Sequence, residues 1–150
     1  MMKKILIQAN NLDMMIDAFM YICYHPDCKK HDLANYCGIT MRQVDYYTNA
    51  CKYLDLIDDN WNLTPLAKDI INNNSADIRE RVYERIIIDE LMGQIFARMF
   101  VLPNENISEF ALDLVKEYYP GYSDSVYLRR SDNIVKWCRR IIKEINTKHR

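Results

Sequence analysis

Gly38-Ile39-Thr40-Met41-Arg42-Gln43-Val44-Asp45-Tyr46-Tyr47 is the stretch on which the fold turns. Glycine tolerates the left-handed conformation that closes a helix, so Asp32 to Cys37 is predicted to be a helix ending at Gly38. Thr40 with Gln43 three positions on reads as a capping box, in which each side chain satisfies the other residue's free backbone N–H. A second helix therefore opens at Met41 and runs to about Leu54, with Val44, Tyr47, Cys51 and Leu54 as its inward stripe.

Outward from this core, Leu56-Ile57-Asp58 and Trp61-Asn62-Leu63 read as two short strands. Asp59-Asn60 between them suits a tight hairpin, since both residues tolerate positive φ. Thr64-Pro65 supplies a cap and a first-turn proline for another helix. Upstream, Ile5-Leu6-Ile7 reads as a short strand. Asn10-Asn11 then caps a helix over 12–24 with Met15, Ala18, Phe19 and Ile22 at helical spacing, and His25-Pro26-Asp27 stops it.

Asn72-Asn73-Asn74-Ser75 is the expected boundary between two halves, residues 1–74 and 75–150. Beyond it a helix is predicted from Ala76 to about Met92. Gly93 permits a bend, helix resumes from Ile95 to Val101, and Pro103 ends it. Ile107 to Tyr119 is the next helix, closed by Pro120-Gly121. Ser123 and Asp124 cap a long last helix reaching about Ile145. Pro120-Gly121-Tyr122-Ser123 repeats the logic of Cys37-Gly38-Ile39-Thr40. The expected fold is mostly α: a winged helix-turn-helix with a small β-hairpin wing, followed by a second, helix-turn-helix-like helical unit packed on the first.

The 150 residues suffice for one domain or two small ones, and a chain this long needs no disulfide or metal to support its core. Hydrophobic residues make up 49% and charged residues 27%, while three glycines and four prolines leave few helix breakers. No apolar run is long enough to span a bilayer, and the N-terminus lacks a signal-peptide pattern. The five cysteines are odd in number and form no CxxC pair, which fits reduced thiols and a cytoplasmic setting. Cys23, His25, Cys28 and His31 are zinc-ligand types within nine residues, but their spacing matches no usual site, so no metal and no cofactor is expected.

Charge is unevenly placed. Residues 129–150 hold eight Lys/Arg against Asp132 and Glu144, a net +6, so the remainder carries -7 of the chain's net -1. Such asymmetry makes a positive face on a near-neutral body.

Arg42-Gln43-Val44-Asp45-Tyr46-Tyr47, Ala50, Tyr53-Leu54-Asp55-Leu56-Ile57 and Leu63-Thr64, together with Leu128-Arg129-Arg130, Ile134-Val135 and Trp137, form an ordered pattern. The pattern resembles a winged-helix domain of unknown function found in type II restriction endonucleases and related defence proteins. The resemblance runs over nearly the whole chain. It implies DNA contact beside a separate nuclease domain. Asp55 stands where that family usually has glycine, and no nuclease domain accompanies these residues, so binding rather than cleavage carries over.

In the first unit Arg42, Gln43, Tyr46 and Asn49 are expected to face a duplex, with arginine suited to guanine and the amides to adenine. Lys30, His31 and Lys52 are placed to meet phosphates. Two competing uses are visible: Arg42 can pair with Asp45 on the helix surface, and Gln43 can be held by the capping box. In the last helix Tyr127, Ile134, Trp137, Cys138, Ile141 and Ile145 are expected inward. Arg129, Asn133, Lys136, Arg140 and Lys143 are expected on the opposite stripe, with Arg130 and Arg139 beside it. Asp55, Asp58 and Asp59 would repel phosphates, so the wing is expected to point away from DNA or to meet a basic partner.

No Gly-rich phosphate loop, GxSxG or HExxH occurs, and Pro26-Asp27-Cys28-Lys29 lacks the strand and upstream acid of a metal nuclease. No catalytic residue is assigned. Three readings stand: a stand-alone DNA-binding regulator acting as a homodimer; a DNA-recognition or accessory subunit beside a nuclease or methyltransferase; and a protein-interaction module without DNA contact.

Overall fold

The computed structural model describes residues 4–72 and 77–148. The described residues form eight helices: α1 (Leu12–Tyr24), α2 (Lys30–Cys37), α3 (Met41–Tyr53), α4 (Pro65–Asn72), α5 (Ile78–Ile87), α6 (Glu90–Val101), α7 (Ser108–Tyr118) and α8 (Asp124–Lys148). The chain divides into two compact units, Met1–Val82 and Tyr83–Arg150. The division falls inside α5. The asparagine run expected to mark it lies, from Asn73 to Ser75, outside the described residues.

In the first unit α1, α2 and α3 pack on one another pairwise. Asn11 opens α1 by accepting the Met14 N–H at 3.1 Å. Leu12, Met15, Ile16, Phe19 and Ile22 recur at helical spacing and are buried. α2 closes at Gly38, whose φ of 68° is left-handed. The Ile39 N–H returns to the Ala34 carbonyl at 3.0 Å, a Schellman closure. Both halves of the Thr40–Gln43 capping box form: Thr40 Oγ1 accepts the Gln43 N–H at 3.2 Å, and Gln43 Oε1 accepts the Thr40 N–H at 3.0 Å. Such a cap contributes about 1 kcal/mol.

The β-hairpin wing is not there. No strand forms among the described residues, and Ile57 and Leu63 make only an isolated antiparallel bridge. Asp58 explains this. Its carboxylate accepts the N–H groups of Asn60 and Asn62, both at 2.9 Å, so a local turn takes donors that a ladder would use. Positive φ falls on Asp55 (61°) and Trp61 (64°), not on the Asp59-Asn60 pair. Thr64 then donates its hydroxyl to the Asp55 carbonyl at 2.6 Å and caps α4 by accepting the Ala67 N–H. A pair this short with no third strand is marginal in water. Ile5-Leu6-Ile7 is likewise no strand; Leu6 and Ile7 are simply buried core.

In the second unit α6 and α7 pack on α8 and on each other. The single helix expected over 76–92 breaks at Ile88-Asp89, where Asp89 caps α6 by accepting the Met92 N–H at 3.0 Å. Gly93 lies inside α6, past the break. A Cβ there would stand 2.3 Å from the Ile87 carbonyl oxygen, so glycine is what lets the α5–α6 elbow close. The Tyr118 hydroxyl donates to Glu90 and accepts from Gln94, both at 2.9 Å, tying α7 to α6. Trp137, Cys138, Ile134 and Ile141 of α8 are fully buried. Tyr127 donates its hydroxyl to the Tyr119 carbonyl at 2.6 Å and accepts the Tyr122 N–H, pinning the turn between α7 and α8.

Candidate nucleic-acid interface

The two helices expected to meet a duplex lie in different units and differ in what their surfaces have free. On α3 several polar groups are already engaged. Gln43 is held by the capping box. Arg42 does not pair with Asp45; its Nε donates to the Tyr46 hydroxyl at 2.7 Å, and its guanidinium lies 5.8 Å from that ring's centroid. Asp45 instead pairs with Lys30 at 2.8 Å. Lys52 reaches Asp59 at 3.9 Å, and His31 lies against Asp32. Arg42 and Gln43 are exposed, while Tyr46, Asn49 and Lys52 are half-buried. Among the described residues the terminal N–H groups of Arg42, the side-chain NH2 of Gln43 and the Asn49 amide have no partner, so α3 is only partly committed.

On α8 the phase of the exposed stripe differs from the expected one. Arg129, Asp132, Lys136, Arg139 and Lys143 are exposed, at alternating steps of three and four. Asn133 is buried, at 9% exposure, and so leaves the stripe. Arg140 is half-buried and engaged elsewhere. Arg130 is half-buried with its guanidinium 5.5 Å from the Tyr122 ring centroid. The stripe is turned by about 40° from the sequence-based placement, at 100° per residue. Arg139, expected beside the stripe, is on it.

The cause is the doublets Arg129-Arg130 and Arg139-Arg140. Each offers a cation at two neighbouring angles, so charge alone does not fix the phase. The buried set does: Ser131, Asn133, Ile134, Val135, Trp137, Cys138 and Ile141 define the inward side.

The stripe is electrostatically open. Lys136 pairs with Asp132 at 3.2 Å, an exposed i,i+4 pair of little energetic weight. Among the described residues Arg129, Arg139 and Lys143 have no ion-pair partner. Three unneutralised cations on one exposed helical face attract polyanions.

The thiols offer no comparable chemistry. Burial pushes the Cys23, Cys51 and Cys138 thiols up to about 12, so they stay protonated near neutrality. Among the described residues no group of three or more His, Cys, Asp or Glu side chains is arranged to hold a metal ion. No helix among them is long and apolar enough to cross a membrane.

A family model described as a domain of unknown function (DUF7226) matches residues 15–146. No curated protein and no solved structure matches the chain.

Proposed function

Because the chain belongs to the DUF7226 family, whose description names no activity, we propose its function from its own surface: it binds double-stranded DNA without catalysing a reaction on it. The observation that carries this is the α8 stripe. Arg129, Arg139 and Lys143 are exposed and unpaired among the described residues, and Lys136 is held only by a solvent-exposed carboxylate. Phosphate contacts supply most of the affinity of proteins for duplex DNA, and Arg and Lys are the residues that make them. In this reading the protein is a regulator, or a recognition module that delivers DNA to a catalytic partner.

The test is a fluorescence anisotropy titration of a labelled duplex at low salt. Binding that weakens steeply as salt rises supports the proposal. A variant with Arg129, Lys136, Arg139 and Lys143 all changed to glutamate should retain the native circular dichroism spectrum and lose binding. Unchanged binding by that variant would remove α8 from the interface.

One observation favours a protein partner as well. Phe100, Val101 and Leu102 at the end of α6 are 50%, 71% and 46% exposed, three consecutive apolar residues. Contiguous exposed apolar surface of this kind marks interaction sites. It is compatible with an accessory role in a larger assembly, and pull-down by a neighbouring nuclease or methyltransferase would test that.

A further inference from the structure

The exposed stripe of α8 is not a free-standing ridge. A depression of about 330 Å³ lies along its first half, lined by Ser108, Leu128, Arg129, Ser131, Asp132 and Val135. A second, of about 210 Å³, lies further along, where Arg139 and Ile142 face Glu105, Asn106 and Ser108. Ser108, the first residue of α7, borders both. The start of α7 therefore stands beside α8 between them. With α6 and α7 packed on its other sides, α8 exposes between Arg129 and Lys143 only Arg129, Asp132, Lys136, Arg139 and Lys143, little more than one residue per turn.

A helix with its side chains is about 10–12 Å across. It enters a major groove about 12 Å wide only when one whole side of it stands clear of the rest of the fold. α8 lacks that freedom, so base edges at the floor of the groove are out of its reach. The sugar–phosphate backbone, which projects outward, is not.

Asp132 then divides the stripe. It repels phosphate at its own position and draws Lys136 to itself at 3.2 Å. Open positive charge is left at two ends, Arg129 on one side and Arg139 with Lys143 on the other. Arg129 and Arg139 are ten residues apart, about 15 Å along the helix. Laid along one strand, α8 would press Asp132 against the phosphates between its two cationic ends; crossing a groove, it holds Asp132 over the gap between the strands. Phosphates facing each other across the minor groove fit better: the groove is about 6 Å wide between its walls, and the phosphates add their own diameters.

Resting on the duplex-binding reading above, we propose that α8 is a backbone clamp. It spans the minor groove of B-form DNA, holds the phosphate backbone of each strand, and reads no bases. Its ligand is double-stranded DNA of any sequence.

The experiment is anisotropy at fixed salt with the full chain and four 20-base-pair duplexes: mixed, A·T-only, G·C-only and a scramble of the first. A single strand of the mixed sequence is the control. The clamp predicts affinities within about threefold among the duplexes and at least tenfold weaker binding of the single strand. R129Q and R139Q should each weaken all four duplexes equally and flatten the log–log salt slope by about 0.9. Neutral methylphosphonates, placed at a cross-strand pair bordering one minor groove in a short duplex, should weaken wild type and barely affect the R129Q/R139Q double variant.

One duplex preferred more than tenfold over its scramble would overturn the clamp and leave duplex binding standing. Equal binding of the single strand would overturn the cross-strand geometry. R129Q and R139Q binding like wild type would do so too. Absence of binding to any duplex would remove the clamp together with the proposed function.

Discussion

Replacing Arg129, Arg139, Lys143 and Lys136 by glutamine, one after another, should dismantle the salt dependence of DNA binding, the first three in equal steps. Each phosphate contact releases counterions and contributes about -0.9 to the slope of log affinity against log salt. Four contacts give about -3.6, so raising salt from 50 to 200 mM should weaken wild type about 150-fold. Three contacts give a loss of about 40-fold, two about 12-fold and one about 3.5-fold over the same interval. The first three substitutions should each cost a full step, because those cations have no partner among the described residues. Lys136→Gln should cost less, since Lys136 must leave Asp132 to meet a phosphate. Asp132→Asn should act in the opposite direction, removing a repulsion and releasing Lys136, and should tighten binding while steepening the slope. The assay is anisotropy over five salt concentrations, with circular dichroism to confirm the fold. A slope that stays constant as the cations are removed would refute the reasoning, even if affinity falls.

Gly93→Ala should destabilise the protein by about 1–3 kcal/mol, because the new methyl meets the Ile87 backbone rather than a side chain that can move. Thermal melting should show this as a drop of about 2–4 °C per kcal/mol. Native-state alkylation at pH 8 should spare Cys51 and Cys138, whose thiols burial pushes up to about 12, and label both once the chain is unfolded. Asp58 has its carboxyl held below the ordinary 3.8, foremost by the N–H of Asn62. Its folded value is lowered, so its contribution to stability is complete above about 3.8 and is lost as pH falls through the folded value. The Asp58→Ala variant should therefore show a shallower loss of stability below pH 4 than wild type, read from urea unfolding at a series of pH values.

Local signals carried most of the helical framework. The Thr40–Gln43 box, the left-handed Gly38 and the Asn11 cap depend on side chains within a few positions of each other, and each formed where its sequence placed it. The inward side of α8 was legible too, because Trp137, Cys138 and Ile141 repeat at helical spacing. The wing was not, since strand propensity at 56–58 and 61–63 competes with a carboxylate that folds the turn onto itself. Strand pairing depends on neighbours that a single segment does not reveal. The break at Ile88-Asp89 was hidden for a related reason: Gly93 reads as a flexible joint, while its role is close backbone approach one turn later. Asn133 is polar and lies among cations, yet the fold buries it. On α3 the residue types suited to bases were legible, but not their commitments, because Lys30 meets Asp45 from another helix.

Backbone amide NMR of the protein titrated with a 20-base-pair duplex tests the central claim most directly. Saturable shift changes concentrated at Ser108, Arg129, Asp132, Lys136, Arg139 and Lys143 are the predicted result. Changes confined to other surfaces with these amides unmoved, or none at saturating duplex, would contradict it.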